Sequence, residues 1–461
     1  MHAQRWECTA KMIRGITLML LCLAPIAARA AGDEGTTGIM RLTLAECIQR
    51  AVEDHPSVQE VKWEVAIRES DVEQAMSGFY PTAEFVNLVG VVNNARGNIH
   101  RFHQSGVWGI GPFFRVEGQI VYPIFTWWKV TNGLKAAQKG VQQENVNVEQ
   151  KKAEAIREVK EYYYTLVYTK QIQELLTDVR TGFEKAVQTA DERLRAGKVS
   201  QLDVLNLKVG YAGVAKETRK LQNGIELSRG ALLRVMGLGQ ETAFDVADTT
   251  LTPQAAQLKD LKYYEDRLFA NRPEWRRLRI GIQAKEAELA MARSDYYPTF
   301  FFSMPVRYGY APGRSRQTNP FAYDDFNFGA AGPVLGLHWK FDIGETSAKV
   351  SRSQAELMKL QSQEKNAATS FPLEVKEAYL NVQEAEERMR ITSDGRKAGR
   401  ALVALSTTNF ELGIGEPQDI FQGLGNYTRA ANDYYEAVRD YNIALAKLSL
   451  VVGEEVSELR Y

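Results

Sequence analysis

The chain has 461 residues, with 57 Lys plus Arg against 57 Asp plus Glu and 44% hydrophobic residues, so it carries no excess of positive charge for a nucleic-acid partner. Beyond residue 30 no stretch approaches 18 consecutive apolar residues, and any membrane crossing by this part of the chain therefore has to be made by strands. Of the cysteines only Cys47 lies beyond residue 30, so no internal disulfide is expected.

Residues 1–30 read as a signal peptide. Arg5, Lys11 and Arg14 form a basic start, Ile16 to Ile26 a short apolar core, and Ala28-Arg29-Ala30 a small-x-small cleavage site. Cys22 is preceded by Leu20 and Leu21 rather than the small residues of an acylation site. Removing the leader takes away four cations and one anion, leaving a net charge of about minus three.

The rest of the chain is a duplicated unit whose hydrophobic period changes from helix to strand and back. Leu42-Thr43-Leu44 through His55-Pro56 to Tyr80-Pro81-Thr82 is repeated about 217 residues later from Leu261 through Arg272-Pro273 to Tyr297-Pro298-Thr299, and both copies place their two prolines 25 residues apart. Gly111-Pro112 is echoed by Gly332-Pro333, Asp203 by Asp419 and Gly237 by Gly453. A unit of this length is longer than solenoid repeats, so the expectation is two structural halves, 31–237 and 261–453, joined by 238–260 and followed by a tail, 454–461.

After a helical stretch over 43–79, strands are expected at about 83–94 and 111–123. From Phe113 to Tyr122 the apolar Phe114, Val116, Ile120 and Tyr122 alternate with Arg115, Glu117 and Gln119, a period of two that gives one charged and one apolar face. The second half repeats this at about 299–310 and 328–343, where Phe300, Phe302, Met304, Val306 and Tyr308 and then Leu335, Leu337, Trp339, Phe341 and Ile343 alternate with polar residues. Polar loops over 93–110 and 311–327 join each pair as hairpins. A soluble half-buried sheet gives the same alternation, but four such segments in matched positions fit strands that cross an outer membrane, with Tyr122, Phe125, Trp127 and Trp128 as an aromatic girdle at the inner interface. Four strands cannot close around a lumen, and an open edge in lipid strands its amides, so several chains have to share one barrel.

From Leu134 to Arg195 there is no proline, and Leu134, Val141, Val148, Ala155 and Tyr162 recur every seven residues, which predicts a helix of about 93 Å. It ends at a turn near 196–203, where Gly197 suits a left-handed cap and Ser200 with Asp203 a capping box that opens a helix over 200–236. The second half ends its long helix at a turn near 412–421, with Gly413, Gly415 and then Pro417 and Asp419 in the first turn of the next helix. Pro372 interrupts the second long helix and predicts a kink. Both aspartates also have a purely local role as helix-start anions.

These residues in this order resemble the TolC family of outer-membrane efflux and secretion channels: the Leu42-Thr43-Leu44-Ala45-Glu46 opening, the Tyr-Pro-Thr junctions, the duplication, and the paired Gly-x5-Asp turns. The likeness covers nearly the whole chain after the leader. It implies a mainly α fold with a β-barrel portion: a homotrimeric 12-stranded outer-membrane barrel, four strands per chain, continued by a long α-helical barrel through the periplasm of a Gram-negative bacterium. Pro81, Pro123 and Pro298 would mark helix–strand junctions, and 238–260 would run around the tunnel's equator.

The same resemblance implies that the turns are periplasmic tips contacting a periplasmic adaptor (membrane fusion) protein through Gly197, Ser200, Asp203, Val204, Leu205, Gly413, Gly415, Ile420 and Phe421. An inner-membrane transporter would supply the energy indirectly. Asp419 would ring the closed entrance; Gln422 stands where the best-known member has a second aspartate, and Gly415 where it has a basic latch. The function implied is the passive exit duct of a tripartite efflux pump for small molecules such as drugs or metals; a type I protein-secretion duct and a periplasmic coiled-coil scaffold or adaptor are the alternatives. No enzyme motif, metal site or cofactor is expected. His100 and His103, three residues apart in a polar loop, are the nearest approach to a metal pair.

Overall fold

A computed structural model describes residues 39–97, 107–314, 316–317 and 324–457. The chain divides into a unit Met1–Met40 and a unit from Arg41 onward; the leader, Cys22, His100, His103 and residues 458–461 lie outside the described residues. Two 67-residue helices, α3 (Lys129–Arg195) and α7 (Glu345–Glu411), run in matched positions of the two repeats, each about 100 Å long at 1.5 Å per residue. The helices α4 (Gln201–Val235) and α8 (Pro417–Val452) return alongside them.

The helix expected over 43–79 is two helices, α1 (Leu44–Asp54) and α2 (Pro56–Ser77). The second repeat matches this with α5 (Leu261–Asn271) and α6 (Pro273–Arg293). Each break falls where proline lacks an N–H and pushes its predecessor out of the helical region: His55 has ψ 128° and Arg272 ψ 119°. Pro372 lies inside α7, which runs on past it to Glu411.

Between the helical blocks lie β1 (Thr82–Gly97), β2 (Val107–Phe125) and β3 (Thr299–Tyr310). The first pair is longer than its alternation suggested. The expected strand 328–343 is broken into β4 (Phe328–Ala331) and β5 (Val334–His338), which pair successively with β3. Pro333 has no N–H for the ladder and sets the break, while the apolar alternation of Trp339, Phe341 and Ile343 continues beyond the strand's end at His338. The pairs β1–β2, β2–β3, β3–β4 and β3–β5 are antiparallel, and among the described residues the far side of β1 carries the two-residue Arg316–Gln317, which pairs parallel with Arg96–Gly97.

The segment after α4 crosses both repeats. Lys170 on α3 holds Asp245 at 2.8 Å, Tyr163 donates to Asp248 at 2.9 Å, and Asn442 on α8 accepts from the Gln254 amide and donates to the Thr252 carbonyl, both at 2.9 Å. Burial pushes the Cys47 thiol up to about 12, so its nucleophilic thiolate is suppressed. Among the described residues no helix is long and apolar enough to cross a membrane.

Candidate functional site

The sheet separates its side chains largely by polarity. Register pairs Val89 with Phe114 and Tyr310, Phe85 with Gly118 and Val306, and Ile120 with Met304; Phe85, Val89, Phe114, Ile120, Met304, Val306 and Tyr308 are all exposed. One face is therefore a mainly apolar surface, interrupted by Asn87 opposite Val116, and suited to hydrocarbon more than to water. On the other face Glu84 stands opposite Gln119, and Glu117 opposite Arg307, with the exposed Val86 and Leu88 among these charges, opposite Glu117 and Arg115. There Arg115 donates through Nε to Glu117 at 2.8 Å, and Gln119 to Ser303 at 3.0 Å. Tyr122 sits on the apolar face opposite Phe302.

Aromatic rings collect where strands meet helices. Phe125 lies 5.0 Å from Trp127 and 5.6 Å from Trp128 between centroids, and Trp127 stacks on Tyr297 at 4.7 Å. The Trp127 indole N–H donates to the Pro298 carbonyl at 2.9 Å. Trp127 and Trp128 have φ of 52° and 60°, a left-handed pair that costs about 1–3 kcal/mol per residue and is held by this stacking and hydrogen bond. In the second repeat the matching helix-start position is Gly344. Pro81 and Pro298 do precede Thr82 and Thr299 at strand starts, but Pro123 is inside β2, at the register shift between Pro123 and Phe125; its missing N–H is accommodated by a bulge.

At the opposite end of the long helices are the two turns. Gly197, with φ 70°, lets the Lys198 amide reach back to the Arg193 carbonyl and the Gly197 amide to Leu194, both at 2.9 Å, which satisfies helix-end carbonyls. Ser200 and Asp203 form a reciprocal capping box at 3.2 Å. In the second turn Gly413 has φ 84°, the Ile414 amide reaches Asn409 at 3.0 Å, and the Glu416 amide donates to the Asp419 carboxylate at 3.1 Å. A Cβ on Gly415 would stand 2.8 Å from the Phe410 amide nitrogen, so the local backbone has no room for a side chain there.

Burial sorts the tip residues. Val204 and Ile420, expected on the adaptor-facing surface, are 3% and 4% exposed in a core with Phe183, Leu207, Phe410 and Leu424. The helical period turns them toward the neighbouring helix. Phe421 is half-buried with its ring 6.1 Å from Phe183. Leu205 stays exposed, as do Asp419 and Gln422. The exposed apolar set at the tips also contains Leu202, Leu412 and Ile414, which sequence reasoning passed over although apolar residues in a polar turn are a visible signal. It also missed Arg193, whose guanidinium lies 4.1 Å over the Phe410 ring and donates to the Phe410 carbonyl. That contact joins the first tip to the second and caps the C-terminus of α7.

With this geometry in hand, comparison with known proteins is specific. The family described as outer membrane efflux protein matches residues 47–238 and 266–454, one stretch in each repeat. The protein CyaE of Bordetella pertussis is 26% identical over 240 residues, covering 50% of this chain and 49% of that protein; the match thus spans about half the length of this curated relative. Among solved structures, the outer-membrane channel OprN superposes with a TM-score of 0.74 at 14% identity, covering 89% of both chains. The CmeC outer membrane channel of Campylobacter jejuni gives 0.73 at 13%, covering 91% of this chain and 87% of that one. At such identities these structures establish the fold alone.

Proposed function

The chain belongs to the outer membrane efflux protein family, and from that premise we propose that three copies share one outer-membrane barrel and form the passive exit duct of a tripartite efflux pump for small molecules. The observation that carries this is the sheet with one apolar and one charged face and unclosed edges at β1 and at β4 with β5. In hydrocarbon each unpaired edge amide costs several kcal/mol, and joining the β1 edge of one copy to the β4–β5 edge of the next removes that cost. The charged face, with Arg115, Glu117 and Arg307, then lines a wet lumen, and the aromatic cluster around Phe125, Trp127 and Trp128 forms the inner girdle.

In this reading the tips meet a periplasmic adaptor, and an inner-membrane transporter drives export through it. Asp419 and Gln422, both exposed on the first turns of α8, face the tunnel entrance, where three carboxylates attract cations. The test is to fractionate the envelope, extract the outer membrane in mild detergent and measure the protein mass by light scattering. A trimer is expected; a water-soluble monomer released from the periplasm would refute the shared barrel. For the entrance, Asp419→Ala should relieve cation block and raise single-channel conductance, and an unchanged conductance would remove Asp419 from the constriction.

A further inference from the structure

The two tips of one chain differ in charge: cations flank the turn of the first, and the second carries only anions. Around the first turn, Arg193, Arg195 and Lys198 stand against Glu192 and Asp203. Around the second, Glu411, Glu416 and Asp419 are the charged residues, and no Lys or Arg occurs between Arg400 and Arg429. Arg195 and Lys198 on one tip and Glu411, Glu416 and Asp419 on the other are exposed, and among the described residues none of the five forms an ion pair.

Local structure accounts for only part of this. Arg195 suits a helix C-terminus and Asp419 a helix start. Glu411, however, is the last residue of α7, where a negative charge is unfavourable, and Lys198 lies beyond the end of α3. Arg193 is committed to the α7 carbonyls, so Arg195 and Lys198 are the cations the first tip presents outward. Each tip also exposes aliphatic side chains: Leu202 and Leu205 on the first, Leu412 and Ile414 on the second.

We propose that the two tips are separate docking surfaces for helical hairpins of opposite tip charge: an acidic hairpin tip seats on the Arg195–Lys198 turn, and a basic one on the Glu411–Glu416 turn, each around the exposed aliphatic pair. This rests on the reading of the tips as adaptor contacts and adds to it what the partner must present. A hairpin offered to the wrong tip places like charges together, so charge fixes the register of docking more than it adds affinity.

The experiment uses the protein without residues 1–30, and hence without Cys8 and Cys22, in detergent with one added cysteine, Leu202→Cys or Ile414→Cys; the buried Cys47, with its thiol pushed up to about 12, does not compete. The probes are two synthetic helical-hairpin peptides, identical except that two glutamates or two arginines flank the leucine at the tip, each carrying an activated disulfide. Leu202→Cys should cross-link the acidic hairpin, and Ile414→Cys the basic one, with a preference of about threefold or more, the scale of exposed ion pairs. Arg195→Glu with Lys198→Glu should invert the first preference, Glu411→Lys with Glu416→Lys the second, and about 0.5 M salt should erase both. Equal yields of both peptides at both tips would overturn the charge assignment while leaving tip docking intact. If neither peptide reacts although a small maleimide labels both cysteines, tip docking itself fails. Cross-linking between copies through Lys198→Cys and Glu416→Cys, with the peptides excluded, would mean that the charges neutralise one another within the assembly and would also overturn the proposal.

Discussion

Replacing either of two repeat-matched glycines should loosen the junction between short and long helices far more than replacing a tip glycine. Gly237 and Gly453 follow α4 and α8 with φ of 69° and 75°. A Cβ on Gly237 would stand 2.5 Å from the Asp54 carbonyl oxygen, and one on Gly453 2.8 Å from the Asn271 carbonyl carbon and oxygen. Asp54 and Asn271 are the last residues of α1 and α5, just before the His55-Pro56 and Arg272-Pro273 corners. The atoms in the way are backbone, so a flexible side chain cannot yield. At Gly197, by contrast, φ is 70° and nothing lies within 4 Å.

Gly197→Ala therefore carries only the left-handed penalty, about 1–2 kcal/mol. Gly237→Ala and Gly453→Ala add the displacement of a helix end in a packed site, about 1–3 kcal/mol more, for a total of about 2–5 kcal/mol. The assay is thermal unfolding of the detergent-extracted protein followed by tryptophan fluorescence, with hydrogen exchange at residues 52–60 and 269–276. Both junction variants should lower Tm at least about twice as far as Gly197→Ala and raise exchange at the corner each one touches. If Gly237→Ala shifts Tm no more than Gly197→Ala does, the backbone contact is not what demands glycine.

Trp127→Phe keeps the ring but leaves the Pro298 carbonyl without its donor, and should cost about 1 kcal/mol, read as faster hydrogen exchange at the start of β3. Met304→Arg, on the apolar face, should lose about 2–4 kcal/mol of membrane stability if it lies near mid-bilayer, whereas Glu84→Arg on the charged face should assemble normally; equal yields in the outer membrane would refute the assignment of faces. Burial by itself would raise the Glu455 carboxyl, but Lys160 at 2.7 Å holds it below the usual range. Because the folded carboxylate is the more acidic one, its stabilisation is present above the unfolded value and is lost as pH falls through the folded value. Wild type and Glu455→Gln should therefore differ in Tm near neutrality and converge in acid, and a constant difference from pH 3 to 7 would refute the pairing.

Much of this architecture is written in local periodicity. The alternation from Phe113 to Tyr122 and from Phe300 to Tyr308 defined which side chains share a face, because a strand's period of two is a property of its backbone. The seven-residue spacing through Leu134 and Val141 likewise announced a long helix, and the repeat of Pro56 at Pro273 marked matching corners even though the helix was expected to run through them. Gly197, Ser200 and Asp203 were legible as a cap because capping involves residues only a few apart.

What sequence left open depends on contacts between distant segments. Val204 and Leu205 are adjacent and similar, yet one is buried against Phe183 and Leu424 and the other faces solvent, a difference set by where the neighbouring helix lies. Arg193 shows no motif, and its role exists only because Phe410, 217 residues away, lies in the last turn of its helix beside it. Trp127 and Trp128 adopt a left-handed turn that their own preferences oppose, held by Tyr297 and Pro298 from the other repeat. The sequence by itself determined the period, length and duplication of the elements, since these are short-range properties of the chain; tertiary packing alone decided which residue of each turn is core, which is surface, and which bridges the repeats.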